Sequence, residues 1–233
     1  MAEDRIIESG ARALGIALLP HQRAALGRYL DLVLRWSGRL RLTGARTRDA
    51  AARVLVVDGL DAVPFLPEAG AIADLGSGAG VPGILAAVLR PPAHVVLVEP
   101  SHKKAGFLEI AVRELALPNV EVVCARAEAL GRSPAHRGRY DAVTARALAG
   151  LPVLVEYALP LLRVGGLGVF PKGRTAFAEV DSAARVLGLL RGEARLEPSG
   201  RGQGRTVILV RKLAPTPEKY PRRVGVAQRS SVR

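Results

Sequence analysis

The chain of 233 residues carries 34 lysines and arginines against 21 aspartates and glutamates, a formal charge of +13, and nearly half of its residues are hydrophobic. That length suits one α/β domain with a modest extra element. The basic excess favours a polyanionic partner, usually nucleic acid, although abundant Arg, Ala and Gly can also reflect composition alone. The most apolar stretch, Leu151 to Phe170, is broken by Glu156, Arg163 and Gly165-Gly166, so no membrane span is expected. The acidic start, Glu3-Asp4, does not read as a secretory leader. The single cysteine, Cys124, has no partner for an internal disulfide, which points to a reducing cytoplasm.

Residues 1–65 read as a helical subdomain. Pro20 opens a helix whose apolar stripe runs through Leu26, Leu30, Val33 and Leu34 towards Trp36. Asp49 is the expected cap of a second helix, reaching Ala62, and Pro64 and Pro67 mark a boundary. The rhythm then changes. Strands are predicted at Ala71–Leu75, Val95–Glu99, Val120–Cys124, Tyr140–Thr144 and, after a Gly165-Gly166 turn, Leu167–Phe170, with a last one at Thr206–Lys212. Helices are predicted from Pro82 to Leu89, Lys103 to Leu115, Leu151 to Leu162 and Ala176 to Leu190. Near-continuous apolar strands alternating with helices mean a mostly parallel sheet covered on both faces, over residues 66–213. Residues 214–233 form a basic tail with Pro215, Pro217 and Pro221, and with Lys219, Arg222, Arg223, Arg229 and Arg233 against Glu218. It is either a solvated terminus or an arm that contacts phosphates or folds over the core.

A parallel sheet binds its ligand at the carboxyl ends of its strands, near the point where strand order reverses. The run Asp74-Leu75-Gly76-Ser77-Gly78-Ala79-Gly80 falls there. Its glycines let a backbone approach a ligand closely. Gly78 to Gly83 also satisfies the dinucleotide pattern G-x-G-x-x-G, and Glu99 follows at the distance of a ribose-binding acid, so a nicotinamide enzyme is a rival. Asp74 argues against it. A carboxylate beside the loop suits a ligand with an amino group and a sulfonium charge, and is unhelpful beside a pyrophosphate. No hydride-transfer site is evident either. Asp74, Gly76, Gly78 and Glu99 therefore point to S-adenosylmethionine.

The fourth strand, Tyr140 to Ala147, lacks the Asn- or Asp-Pro-Pro-aromatic motif of exocyclic-amine methylation. Cys124 lies within a predicted strand and reads as a small buried residue, not as a nucleophile. His21, His94, His102 and His136 are scattered, so no metal site is expected. The acceptor should then need neither a covalent nucleophile nor a base; a ring nitrogen with a free lone pair fits.

These motifs together resemble the bacterial 16S ribosomal RNA guanine-N7 methyltransferases, the glucose-inhibited division protein B family. The resemblance runs through Asp74 to Gly83, Val98 to Lys104 with Phe107-Leu108, Asn119-Val120 to Glu128, Tyr140 to Ala147, Pro171-Lys172-Gly173 and Tyr220 to Arg223 with Gly225. It implies a seven-stranded Rossmann-like methyltransferase fold and cofactor contacts at Gly76, Val81, Ala127, Glu128 and Arg146. Arg126, Lys172, Lys103, Lys104 and the tail residues Arg222 and Arg223 become candidate RNA contacts. The implied acceptor is a guanine N7 of 16S ribosomal RNA, in free RNA, a 30S subunit or an assembly intermediate, and a monomeric enzyme is expected. Alternatives are another RNA site, a small-molecule acceptor, or a non-enzymatic RNA-binding protein. Departures lie in the helical part. Arg41-Leu42-Thr43 replaces the family's Asn-Leu-Thr, a histidine is missing near Val54 to Asp58, and Gly59 stands where serine is usual.

Overall fold

The structure, a computed structural model, describes residues 2–202 and 204–229; Arg233 of the tail lies outside them. Seven strands form one sheet in the order β3-β2-β1-β4-β5-β7-β6: β1 (Gly70–Leu75), β2 (Ala93–Val98), β3 (Val120–Val123), β4 (Tyr140–Thr144), β5 (Leu162–Lys172), β6 (Gly192–Pro198) and β7 (Thr206–Lys212). The strands β1 to β5 pair in parallel, whereas β7 runs antiparallel to both β5 and β6. The dinucleotide sheet is mostly parallel, with its sixth strand directly beside the fifth. Inserting the reversed β7 at that place is a topological departure from the nicotinamide rival.

Strand residues alternate between two cores, as the two-residue period demands. Ile72, Val95, Leu97, Val169 and Leu209 point to one face; Ala73, Val96, Val98, Phe170 and Ile208 point to the other. The first face is covered by α1 (Ala2–Ala13), α2 (Pro20–Leu40), α4 (Gly83–Leu89) and α5 (His102–Glu114). The helical N-terminal segment thus shares a core with the sheet through Leu26, Leu30 and Val33. The second face is covered by α6 (Ala127–Arg132), α7 (Leu151–Leu161), α8 (Ala176–Leu190) and the tail residues Tyr220 and Ala227.

Several local expectations need correction. Thr47, not Asp49, caps α3 (Arg48–Ala51), because its side chain accepts the Ala50 amide. The chain then widens into a π-turn at Ala52–Val57 and tightens to a 3₁₀ turn at Leu60–Phe65. Gly165-Gly166 lies inside a longer β5, where a Cβ at Gly166 would stand 3.0 Å from the Tyr140 carbonyl. Cys124 follows the end of β3 and is exposed, with its Sγ 3.3 Å from His102 Nδ1. The tail folds over the core: Arg137 donates to the carbonyls of Thr216, Pro217 and Tyr220, and Arg132 to that of Pro221. No described helix is long and apolar enough to cross a membrane.

Candidate functional site

The turn after β1 stands at the switch point, with β2 on one side and β4 on the other. The Gly76 and Ser77 amides both donate to the Val98 carbonyl, at 2.8 and 3.1 Å. Gly76, Gly78 and Gly80 adopt φ of 66°, 56° and 98°, angles that strain any L side chain. Gly83 opens α4 against the sheet; a Cβ there would lie 2.3 Å from Leu97 Cδ2. Just past β2, Glu99 holds the loop from outside. Its Oε2 accepts the Gly78 amide and its Oε1 the Ser101 amide, both at 2.9 Å.

Asp74 is fully buried beneath this loop. Its Oδ2 accepts the Gly83 amide at 3.2 Å, while its Oδ1 has no partner. Burial pushes its carboxyl up to about 7, opposed by the Ser77 hydroxyl, the Gly83 amide and the charge of Arg146. An unpartnered buried carboxylate oxygen beside a glycine turn fits a cationic or amine donor.

Gly76, Ala127 and Glu128 line one narrow cleft of about 40 Å³ with Val98, Pro100, Arg126, Leu148 and Tyr157. That space is smaller than a nucleoside. Leu148 closes it: its Cδ1 stands 2.6 Å from where a Cβ of Gly76 would be. Beyond Leu148 lies a separate cavity of about 540 Å³, lined by Asp58, Asp61, Arg146, Ala147, Lys172, Arg174 and Arg205. It adjoins a third space of about 490 Å³ lined by Arg5, Arg53, Asp58, Arg201 and Arg205. Residues 146–148 are therefore the wall between the cleft and the basic cavity. Ala147 holds that wall in the left-handed region, at φ 54°.

The basic cavity is built by contact between the N-terminal segment and the β6–β7 loop. Arg201 binds both oxygens of Asp61, Ser199 donates to Asp61 Oδ1 at 2.6 Å, and Arg201 and Arg205 both reach Asp58 Oδ1, at 3.2 and 2.8 Å. Arg146 crosses to the π-turn, donating to the Val54 carbonyl at 2.5 Å. A π-turn frees carbonyls from the regular ladder, and here one receives the guanidinium. Tyr29 of α2 donates to the Ala79 carbonyl at 3.0 Å, tying the same segment to the glycine turn.

The expected site residues thus divide. Gly76, Ala127 and Glu128 share the cleft, whereas Asp74, Gly78 and Glu99 do not line it and are tied to the adjoining glycine turn. Val81 is buried behind the loop against Gly59 and Leu85, and Arg146 belongs to the basic cavity. Arg126 lines the cleft and is exposed; Lys103, at the start of α5, is exposed and Lys104 half-buried. Lys172 is drawn in to Glu179 Oε2 at 2.7 Å and to the Ala149 carbonyl. Arg222 grips the buried Glu156, whereas Arg223 is exposed. Reading the sequence missed Arg5, Arg53, Asp58, Asp61, Arg174, Arg205 and Leu148. Leu148 was signalled by its place just past the carboxyl end of β4. The others carry no local pattern, because they converge from the N-terminal segment and the ends of β5 and β6. Among the described residues, no group of three or more His, Cys, Asp and Glu could hold a metal.

Comparison with known proteins agrees with this geometry. The family model of rRNA small subunit methyltransferase G matches residues 22–207. The chain is 42% identical to the ribosomal RNA small subunit methyltransferase G of Chloroflexus aggregans over 97% of each chain. It is 40% identical to the protein of that name from Deinococcus radiodurans, over 95% of this chain and 89% of that one. Among solved structures, a predicted O-methyltransferase of Agrobacterium tumefaciens superposes with a TM-score of 0.50 at 25% identity, covering 66% of this chain and 79% of that one. The match to the family model and these near full-length relatives leave one assignment: the chain belongs to the rRNA small subunit methyltransferase G family.

Proposed function

We propose that this protein transfers the methyl group of S-adenosylmethionine to N7 of a guanine in the 16S ribosomal RNA of the small subunit, acting as a cytoplasmic monomer. The observation that carries the reading is the two-sided wall at residues 146–148. A narrow cleft at the glycine turn lies on one side, and a basic cavity open to a polyanion lies on the other.

The residues present fit the cofactor. Asp74 Oδ1 is the buried acceptor left over for an ammonium group, Glu99 is placed for a ribose diol, and Ala127 and Glu128 line the cleft beside Tyr157. Gly76, Gly78 and Val81 shape the turn, and Arg146 faces the acceptor side. When bound, the cofactor supplies an electrophilic methyl group on a sulfonium. The cleft of about 40 Å³ would have to widen at Leu148, which stands over Gly76, to admit it. The N7 of guanine carries no proton, so no base is asked of the protein. Catalysis then rests on alignment and on removing water, which together can be worth roughly 7–11 kcal/mol. The guanine must be unpaired or flipped to reach the wall. Arg53, Arg174 and Arg205, with Arg126, Lys103 and Arg223 further out, offer the phosphate contacts.

Methylation of purified 30S subunits and of naked 16S RNA with labelled cofactor tests this. Label at a guanine N7, with substrate binding that weakens steeply as salt rises, is expected. No label in either substrate overturns the reading, and label on another atom or salt-insensitive binding corrects the acceptor.

A further inference from the structure

Phe177 stands on the first turn of α8 and is 70% exposed. The chain has nine Phe, Tyr and Trp residues, and every other one is buried or half-buried. A single exposed apolar side chain needs no explanation by itself; the argument lies in where this one stands. It follows the carboxyl end of β5, on the edge of the sheet that carries the glycine turn. It lies three positions after Arg174, so their Cα atoms are at most about 10 Å apart.

Arg174 lines the basic cavity and is exposed, with no hydrogen bond or ion pair. The nearby charges are otherwise settled. Lys172 is paired with Glu179, and Glu179 also accepts the Leu151 amide. Asp181, one turn further along α8, is exposed. The helix buries Ala176, Ala183, Val186, Leu187 and Leu190. Phe177 lies off that stripe and adds nothing to the core. An unpaired arginine lining a basic cavity, with an exposed aromatic three positions along the chain, is the composition that grips single-stranded nucleic acid. The cation takes a phosphate, and the ring takes a base.

We propose that Phe177 is a stacking platform for an unpaired RNA base flanking the target, with Arg174 on the adjacent phosphate. This rests on the RNA reading above and adds the residue that holds the strand while the target enters the cavity. Phe177 touches neither cofactor nor reacting atom, so it is a positioning residue.

The test uses the full chain with oligoadenylate RNA and an abasic oligomer of the same length and charge as probes. Phe177→Ala is expected to weaken oligoadenylate binding roughly 5- to 100-fold and to leave abasic binding unchanged. Phe177→Leu should fail alike, since it is apolar without a π-face. Phe177→Trp should bind at least as well as the native chain, and its emission should be quenched by oligoadenylate. The one native tryptophan, Trp36, packs against Phe107 and gives the background signal. On 30S subunits, Phe177→Ala should raise KM and leave kcat and cofactor affinity unchanged. Equal loss on both probes, or full binding by Phe177→Leu, overturns the proposal. So does concentration-dependent self-association lost in Phe177→Ala, which would place the ring in a protein interface. Because binding is read without methyl transfer, failure of the methylation assay and failure of this proposal remain distinguishable.

Discussion

Asp74 keeps a carboxylate where an amide would be more comfortable. In the unfolded chain its carboxyl ionises near 3.8, whereas burial holds it neutral up to about 7 in the fold. As pH rises from about 4 to 7 the unfolded state loses this proton first, so the fold loses stability through that window and levels off above it. The span corresponds to roughly 4 kcal/mol. Asp74→Asn is isosteric and can still accept the Gly83 amide. In the absence of cofactor it should be the more stable protein at pH 8, with the advantage gone by pH 4, in urea unfolding at both pH values. Its affinity for S-adenosylmethionine should fall at least tenfold. A variant less stable than the parent at pH 8 would show that the carboxylate is not strained. The same scale explains one departure from the family. A Cβ at Gly59 would stand 2.4 Å from Val81 Cγ1 and 2.5 Å from Leu85 Cδ1, so serine has no room in this packing. The glycine run and Asp74 were legible because their chemistry is local. That Val81 faces away from the cleft was not, since it depends on what packs behind the loop.

The central strands announced themselves, as did the valine-rich edge strand β3; the opposite edge strand, β6, did not. In β6 the charged Glu193, Arg195 and Glu197 alternate with small or half-buried residues, and its only neighbour is β7. An edge strand of that kind carries little apolar signal. The π-turn at Ala52–Val57 was equally silent, because the Arg146 guanidinium that meets its Val54 carbonyl comes from 92 residues away. Helix ends offer a direct test at this scale. Arg191 terminates α8 at φ 62° and ψ 47°, and its amide caps Leu187 and Gly188 carbonyls. Arg41 ends α2 in the same left-handed region, at φ 49°, where the family's asparagine is at lower cost. Arg191→Gly should stabilise the protein by about 0.5–1 kcal/mol, the left-handed strain removed less the greater entropy of glycine when unfolded. Calorimetry should record a rise in Tm of about 2 °C. Arg41→Asn should move it the same way by less. An unchanged or lower Tm for both would mean that these caps carry no strain.

At the scale of the molecule, the tail joins the second core to the cleft at the glycine turn. Residues 214–229 are held by carbonyls donated into by Arg132 and Arg137, and by two carboxylates of the domain. Glu156, buried in α7, receives the Arg222 guanidinium on both oxygens and the Arg222 amide on Oε1. Glu128, in the first turn of α6, accepts the Gly225 amide at 2.9 Å while lining the cleft. Undocking the tail therefore reaches the site through Glu128. Arg222→Gln leaves a buried carboxylate without its cation, which costs about 3–5 kcal/mol when the pair is fully buried. The Arg222 side chain is 23% exposed, so the lower end applies. That variant should melt several degrees lower and bind S-adenosylmethionine more weakly. Adding Glu156→Gln removes the stranded charge and should recover much of the Tm. Cofactor affinity separates two roles for the tail. If it recovers with Tm in the double variant, the tail acts through stability alone; if it stays low, the tail positions Glu128.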